Sequence, residues 1–148
     1  MKKSLFRLTD MLELSIAYVF CFSLSFLLDY ARTLDLDAYI LKAFLKNFID
    51  YQPLIVSLFT FIGIVFHYQM LERKKAEIFC RILVGGTVFS ITIRYVLDCL
   101  TVLIFVYILS ALVNLHFGFN LADNFYLVII FVAYILISAR RVRKYENI

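Results

Sequence analysis

Residues that carry chemistry are scarce in this sequence. Its cysteines, Cys21, Cys80 and Cys99, lack the paired spacing of a disulfide framework, a CxxC redox centre or a zinc site, and read as small packing residues. Its histidines, His67 and His116, are far apart, which gives no basis for a metal cluster. There is no glycine-rich phosphate loop, no GxSxG and no HExxH, so no residue set supports an enzyme or a nucleotide site. Polar residues are also too few to clothe a soluble domain: 64% of the 148 residues are apolar, against about 45–50% in an ordinary soluble protein. Water is therefore not the main solvent of this chain.

The apolar residues fall in four long blocks, at 12–28, 54–70, 88–113 and 125–139. Each is near the length that crosses ~30 Å of hydrocarbon at ~1.5 Å per residue. They are continuous and do not alternate between apolar and polar, which selects helices over the strands of a membrane barrel. The first block follows a basic start (Lys2, Lys3, Arg7), as in a secretory signal. However, it is long, and the bulky Leu27-Leu28-Asp29-Tyr30 that follows offers no cleavage site, so it reads as a retained helix.

Lys and Arg set the expected orientation. The N-terminus (Lys2, Lys3, Arg7), the connection after the second block (Arg73, Lys74, Lys75, Arg81) and the tail at 140–148 (Arg140, Arg141, Arg143, Lys144) would share one side. The other side has only Arg32, Lys42 and Lys46, diluted by Asp29, Asp35, Asp37 and Asp50, and no Lys or Arg from Asn114 to Asn124. This bias places both ends in the cytoplasm of a cell that carries the protein in its plasma membrane. The net charge of +4 is thus a topology signal, and nucleic acid is not an expected partner.

Two connections have helical patterns of their own. Residues 31–50 set Tyr39, Ile40, Leu41, Phe44, Leu45, Phe48 and Ile49 against Asp37, Lys42, Lys46 and Asp50, which predicts an amphipathic helix on the outer membrane surface before Pro53 restarts the chain. At 72–85, Ala76, Phe79, Ile82 and Leu83 recur at helical spacing among Glu72, Arg73, Lys75 and Glu77, and Gly85-Gly86 marks the stop. On physical grounds alone this second helix either rests on anionic headgroups or docks a cytoplasmic partner.

The run Arg73-Lys-Lys-Ala-Glu77-Ile78, followed by Gly85-Gly86-Thr87, Ile91 and Asp98, resembles the signature of FtsX/MacB-type permeases, the membrane subunits of mechanotransmitting ABC transporters. In that family a Gly turn follows Glu-Ile by eight positions and an acidic residue follows the Gly by about thirteen, as Glu77, Gly85 and Asp98 do here. The resemblance covers about Glu72 to Leu100. It implies that 72–85 is a coupling helix that seats in a groove of a separate ATPase, with Ile78, Phe79, Ile82 and Leu83 as its grip and Glu77, Arg81, Gly85 and Gly86 setting charge and register. It also implies a second permease copy, identical or related, and ATP bound by the partner, with no cofactor on this chain. Residues 29–53 are too short for the extracytoplasmic domain that many members carry after the first helix.

Arg94 and Asp98 lie one turn apart inside the third block, where charges are costly. They read as a mutual pair near the cytoplasmic end, with a contact at the subunit interface as the alternative. Tyr18, Ser23, Ser25, Ser57 and Thr60 read as packing or interhelical hydrogen-bonding groups. The expectation is an all-α polytopic membrane protein with four transmembrane helices, a cytoplasmic coupling helix and an outer amphipathic helix. It would serve as a permease subunit; the rival is a small bacteriocin-immunity or regulatory protein that acts through helix contacts.

Overall fold

A computed structural model describes residues 7–34, 37 and 39–144, with the backbone alone for Asp123. Lys2 and Lys3, residues 35, 36 and 38 of the predicted outer segment and residues 145–148 of the basic tail lie outside the described residues. The described chain forms α1 (Leu8–Thr33), α2 (Tyr39–Asp50), α3 (Gln52–Leu83), α4 (Val88–His116) and α5 (Phe125–Lys144), with a 3₁₀ turn at Leu121–Asn124 before α5. Four of these, α1, α3, α4 and α5, are long and apolar enough to cross a membrane. The chain is a multi-pass, all-helical membrane protein.

Each spanning helix buries one stripe and turns the rest outward. In α1 the inward stripe is Leu14, Tyr18, Cys21, Phe22, Ser25 and Leu28, while Leu12, Ile16, Phe20 and Leu27 are exposed. An apolar residue can face either way because lipid tails are as apolar as the core. Threonine hydroxyls in the spans bond back to their own helix: Thr60 donates to the Val56 carbonyl at 2.7 Å and Thr92 to the Val88 carbonyl at 2.8 Å.

Contacts along the whole length of α1 and α3 fix an antiparallel register. Lys74 reaches Asp10 at 2.6 Å, Arg73 reaches Glu13 at 2.6 Å, the Cys21 thiol lies 3.6 Å from the Phe59 carbonyl, and Gln52 donates to Asp29 at 3.3 Å. α4 runs alongside α1, with Phe22 against Tyr107 and Phe26 against Phe117. α1 also packs on α3, and α5 packs on α3 and α4, so the consecutive helices α3 and α4 stand across a diagonal. The bundle therefore has a basic end, formed by the start of α1, the α3–α4 turn and the end of α5, and a far end at the other connections.

The second span (54–70) and the amphipathic helix (72–85) read as continuing out of the membrane form one unbroken helix, α3, of 32 residues. Between Met70 and Leu83 there is no Gly or Pro to break it, and Glu, Lys, Arg and Ala are all good helix formers. At ~1.5 Å per residue α3 is about 48 Å long, so roughly a dozen residues extend past the hydrocarbon. It ends in a Schellman motif. Gly85 takes φ +95°, its N–H donates to the Ile82 carbonyl at 3.0 Å, and the Gly86 N–H donates to the Arg81 carbonyl at 2.9 Å. α4 closes the same way at Gly118 (φ +73°), with the Phe119 N–H on the Asn114 carbonyl at 2.9 Å.

α1 also begins earlier and ends later than the block 12–28, and α5 runs on from 139 to Lys144. Within the predicted outer segment, 39–50 is helical as α2, and none of its described residues is buried against the bundle.

Candidate functional site

The structure places most of the sequence-predicted residues around the basic end. Glu77, Arg81, Gly85, Gly86 and Arg94 line one cleft of about 490 Å³, together with Ser90. Thr87 caps α4 there, its hydroxyl accepting from the Ser90 N–H at 3.4 Å. Glu77 and Arg81 pair at 2.9 Å. Asp98 lies one turn beyond Arg94 on α4, and both are half-buried. The four apolar residues read as a grip separate. Ile78 is 0% exposed and belongs to the core, and Ile82 packs partly against that core. Phe79 and Leu83 (69% exposed), with Val84 (90%), form an uncovered apolar tip beside Cys80, which is also exposed.

The same turns of α3 are clamped to α1. Lys74, nearly buried, touches Asp10 at 2.6 Å and Glu77 at 3.1 Å, and Asp10 also accepts from the Arg7 backbone N–H at 2.9 Å. Burial disfavours the charged Asp10 carboxylate, but the hydrogen bond and charge of Lys74, together with the Arg7 N–H, outweigh it and hold its pKa below the usual range. Glu77 behaves likewise: burial pushes it up, and Arg81 and Lys74 bring it below the ordinary value. For Lys74 burial pulls the pKa down, and Asp10 and Glu77 raise it above the ordinary lysine value. These groups flank the apolar stretches of α1 and α3, where water and headgroups meet the protein.

A second polar cluster, not singled out in the sequence, sits inside the spans. His67 of α3 is 2% exposed, its ring nitrogens 3.4–3.5 Å from the Tyr95 hydroxyl and 3.5 Å from the Cys99 thiol of α4. The Tyr134 ring of α5 packs on it edge-on at 5.1 Å between ring centroids, and Ser138 hydrogen-bonds Tyr95. Tyr18 of α1 is buried, and its hydroxyl has no hydrogen-bond partner. All four spanning helices thus meet at one polar level in the core. The signal in the sequence was a histidine inside an apolar block, where ionisable residues are costly and face inward. Among the described residues no three His, Cys, Asp or Glu side chains come together as metal ligands.

The far end carries a third polar group. Asp29, Arg32 and Gln52 line a crevice with Ser25 and Tyr126.

Set against known proteins, the chain matches no family model, no curated protein and no solved structure. The fold defines its class, an all-helical multi-pass membrane protein with four spanning helices.

Proposed function

We propose that this chain is a membrane subunit that works by contact and has no reaction of its own, receiving a cytoplasmic partner at the tip of α3. The observation that carries this is the uncovered apolar tip, Phe79, Leu83 and Val84, on a helix that runs without a break to the far end. Large apolar side chains beyond a membrane span call for a partner surface or headgroups to cover them. A rigid helix clamped to α1 by Asp10–Lys74 and Glu13–Arg73 carries a push at that tip as motion of the α1–α3 pair. The resemblance in 72–100 makes an ABC-type ATPase the proposed partner. The chain would then be a permease subunit in the plasma membrane with both ends cytoplasmic, paired with a second permease copy, while the partner binds ATP.

A second reading, a small regulatory or immunity-type protein acting through lateral helix contacts, is favoured by a specific observation. Glu77 and Arg81, offered as charges for an ATPase, pair with each other, and Lys74 ties Glu77 to Asp10 of α1. Photo-crosslinking separates the two readings. A maleimide photo-probe on the native Cys80, which is exposed while Cys21 and Cys99 are buried, is activated in inverted membrane vesicles from the source cells. The permease reading expects capture of an ATPase subunit, with capture falling about tenfold in Leu83→Asp. Capture of membrane proteins alone, unchanged by Leu83→Asp, would remove the ATPase from the account.

A further inference from the structure

At the far end, two adjoining concavities, one among α1, α3 and the start of α5 and one between α3 and α5, share Pro53, Val56 and Tyr126 on their walls. The first, about 400 Å³, is polar, with Asp29, Arg32, Gln52 and Ser25. The second, about 350 Å³, is an open, mainly apolar slot between the helices, with Phe61, Ile64 and Ile130. A polar mouth over an apolar slot at the end of a membrane bundle fits an amphiphile whose head sits at the interface and whose tail lies along the helices.

The hydrogen bonds at the mouth define the head. A carboxylate only accepts, so the 3.3 Å contact from Gln52 Nε2 to Asp29 Oδ1 fixes the amide and turns Gln52 Oε1 away. That oxygen is buried and has no hydrogen-bond partner. An unmet buried acceptor is costly, so the site favours a ligand that brings N–H donors. The Asp29 side chain, 14% exposed, adds negative charge beside Gln52. The Arg32 side chain is 52% exposed and only 4.0 Å from Asp29 at its closest, which leaves it able to serve an anion nearer the water. Acceptors with a carboxylate inside and a guanidinium outside match an ammonium attached to a phosphate.

We propose that this crevice binds a phospholipid with a primary-amine headgroup, of the ethanolamine type. The ammonium donates to Asp29 and Gln52 Oε1, the phosphate meets Arg32, and one acyl chain fills the slot past Ser57 and Phe61. This inference rests on the far end alone and stands whether or not a partner docks at the basic end.

Native mass spectrometry of the full chain in detergent tests it, with phosphatidylethanolamine, phosphatidylcholine or phosphatidylglycerol added in turn. Choline has the same phosphate and a cation but no N–H, and glycerol has no cation. The expected result is retention of phosphatidylethanolamine about tenfold over the other two, since charge-assisted hydrogen bonds are worth about 1.5–3 kcal/mol. Asp29→Asn and Gln52→Leu should each bring phosphatidylethanolamine down to the phosphatidylcholine level. Ser57→Phe, at an exposed position in the slot, should reduce all three lipids, with the monomer's melting temperature confirming that the variants fold. Equal retention of the three lipids, or preference for phosphatidylglycerol, overturns the proposal. Displacement of bound lipid by soluble phosphoethanolamine at equal concentration would make the ligand the free headgroup and also overturn it.

Discussion

Lys74 is almost out of water and keeps its charge because Asp10 and Glu77 both reach it. The direction of each shift sets the pH range in which this clamp acts. Asp10 and Glu77 are held below their ordinary carboxylate values, so their contribution is complete above that range and disappears as pH falls through the folded-state values. Lys74 is raised, so its contribution is complete below the ordinary lysine value and is lost as pH climbs through the folded one. Lys74→Met should therefore lower unfolding stability in detergent by about 2 kcal/mol at pH 7. The gap to the parent chain should begin to narrow below about pH 4, where the carboxylates of an unfolded chain protonate, and close as pH falls through the lower folded-state values. A gap that stays the same from pH 7 down to about pH 2, below the carboxylate range, would show that Lys74 acts through packing alone. The sequence placed Lys74 among the surface charges of a basic loop, because its partner Asp10 is 64 positions away and no local pattern links them. The cluster around His67 was not legible for a similar reason: Tyr95 and Cys99 come from a different helix.

Helix existence was legible along most of the chain, and helix ends were legible only where a residue enforces them. Gly85-Gly86 was read as a stop and is one, since Gly85 takes a positive φ and a side chain on Gly86 would sit 2.7 Å from the Arg81 carbonyl oxygen. The helix continues through Leu71 without interruption, because a change from apolar to charged residues alters a helix's surroundings without altering its backbone. The two glycines should respond differently to alanine. Gly85→Ala meets no atom within 4 Å and bears mainly the left-handed backbone cost, about 1–2 kcal/mol. Gly86→Ala strikes backbone that cannot yield without opening the Schellman bonds, and should cost more. Unfolding of both variants in detergent, followed by circular dichroism, checks this order; a smaller loss for Gly86→Ala would contradict the turn geometry.

The four-span architecture was legible because solvent exclusion acts on whole blocks. The arrangement of the helices was not, since Leu12 faces outward and Leu14 inward from the same apolar run and composition cannot tell them apart. Among the candidate residues, the charged and glycine positions of 72–98 do gather at one end, whereas the expected apolar grip divides between core (Ile78) and tip (Leu83). The side of the membrane that the basic end occupies decides whether a cytoplasmic partner can reach the α3 tip. Cys80 marks that end and is the exposed member of the three native cysteines. Labelling with a membrane-impermeant maleimide, in intact cells and in inverted vesicles, reads its side directly. The account predicts no labelling in intact cells and full labelling in inverted vesicles; labelling of Cys80 in intact cells would put the basic end outside and contradict it.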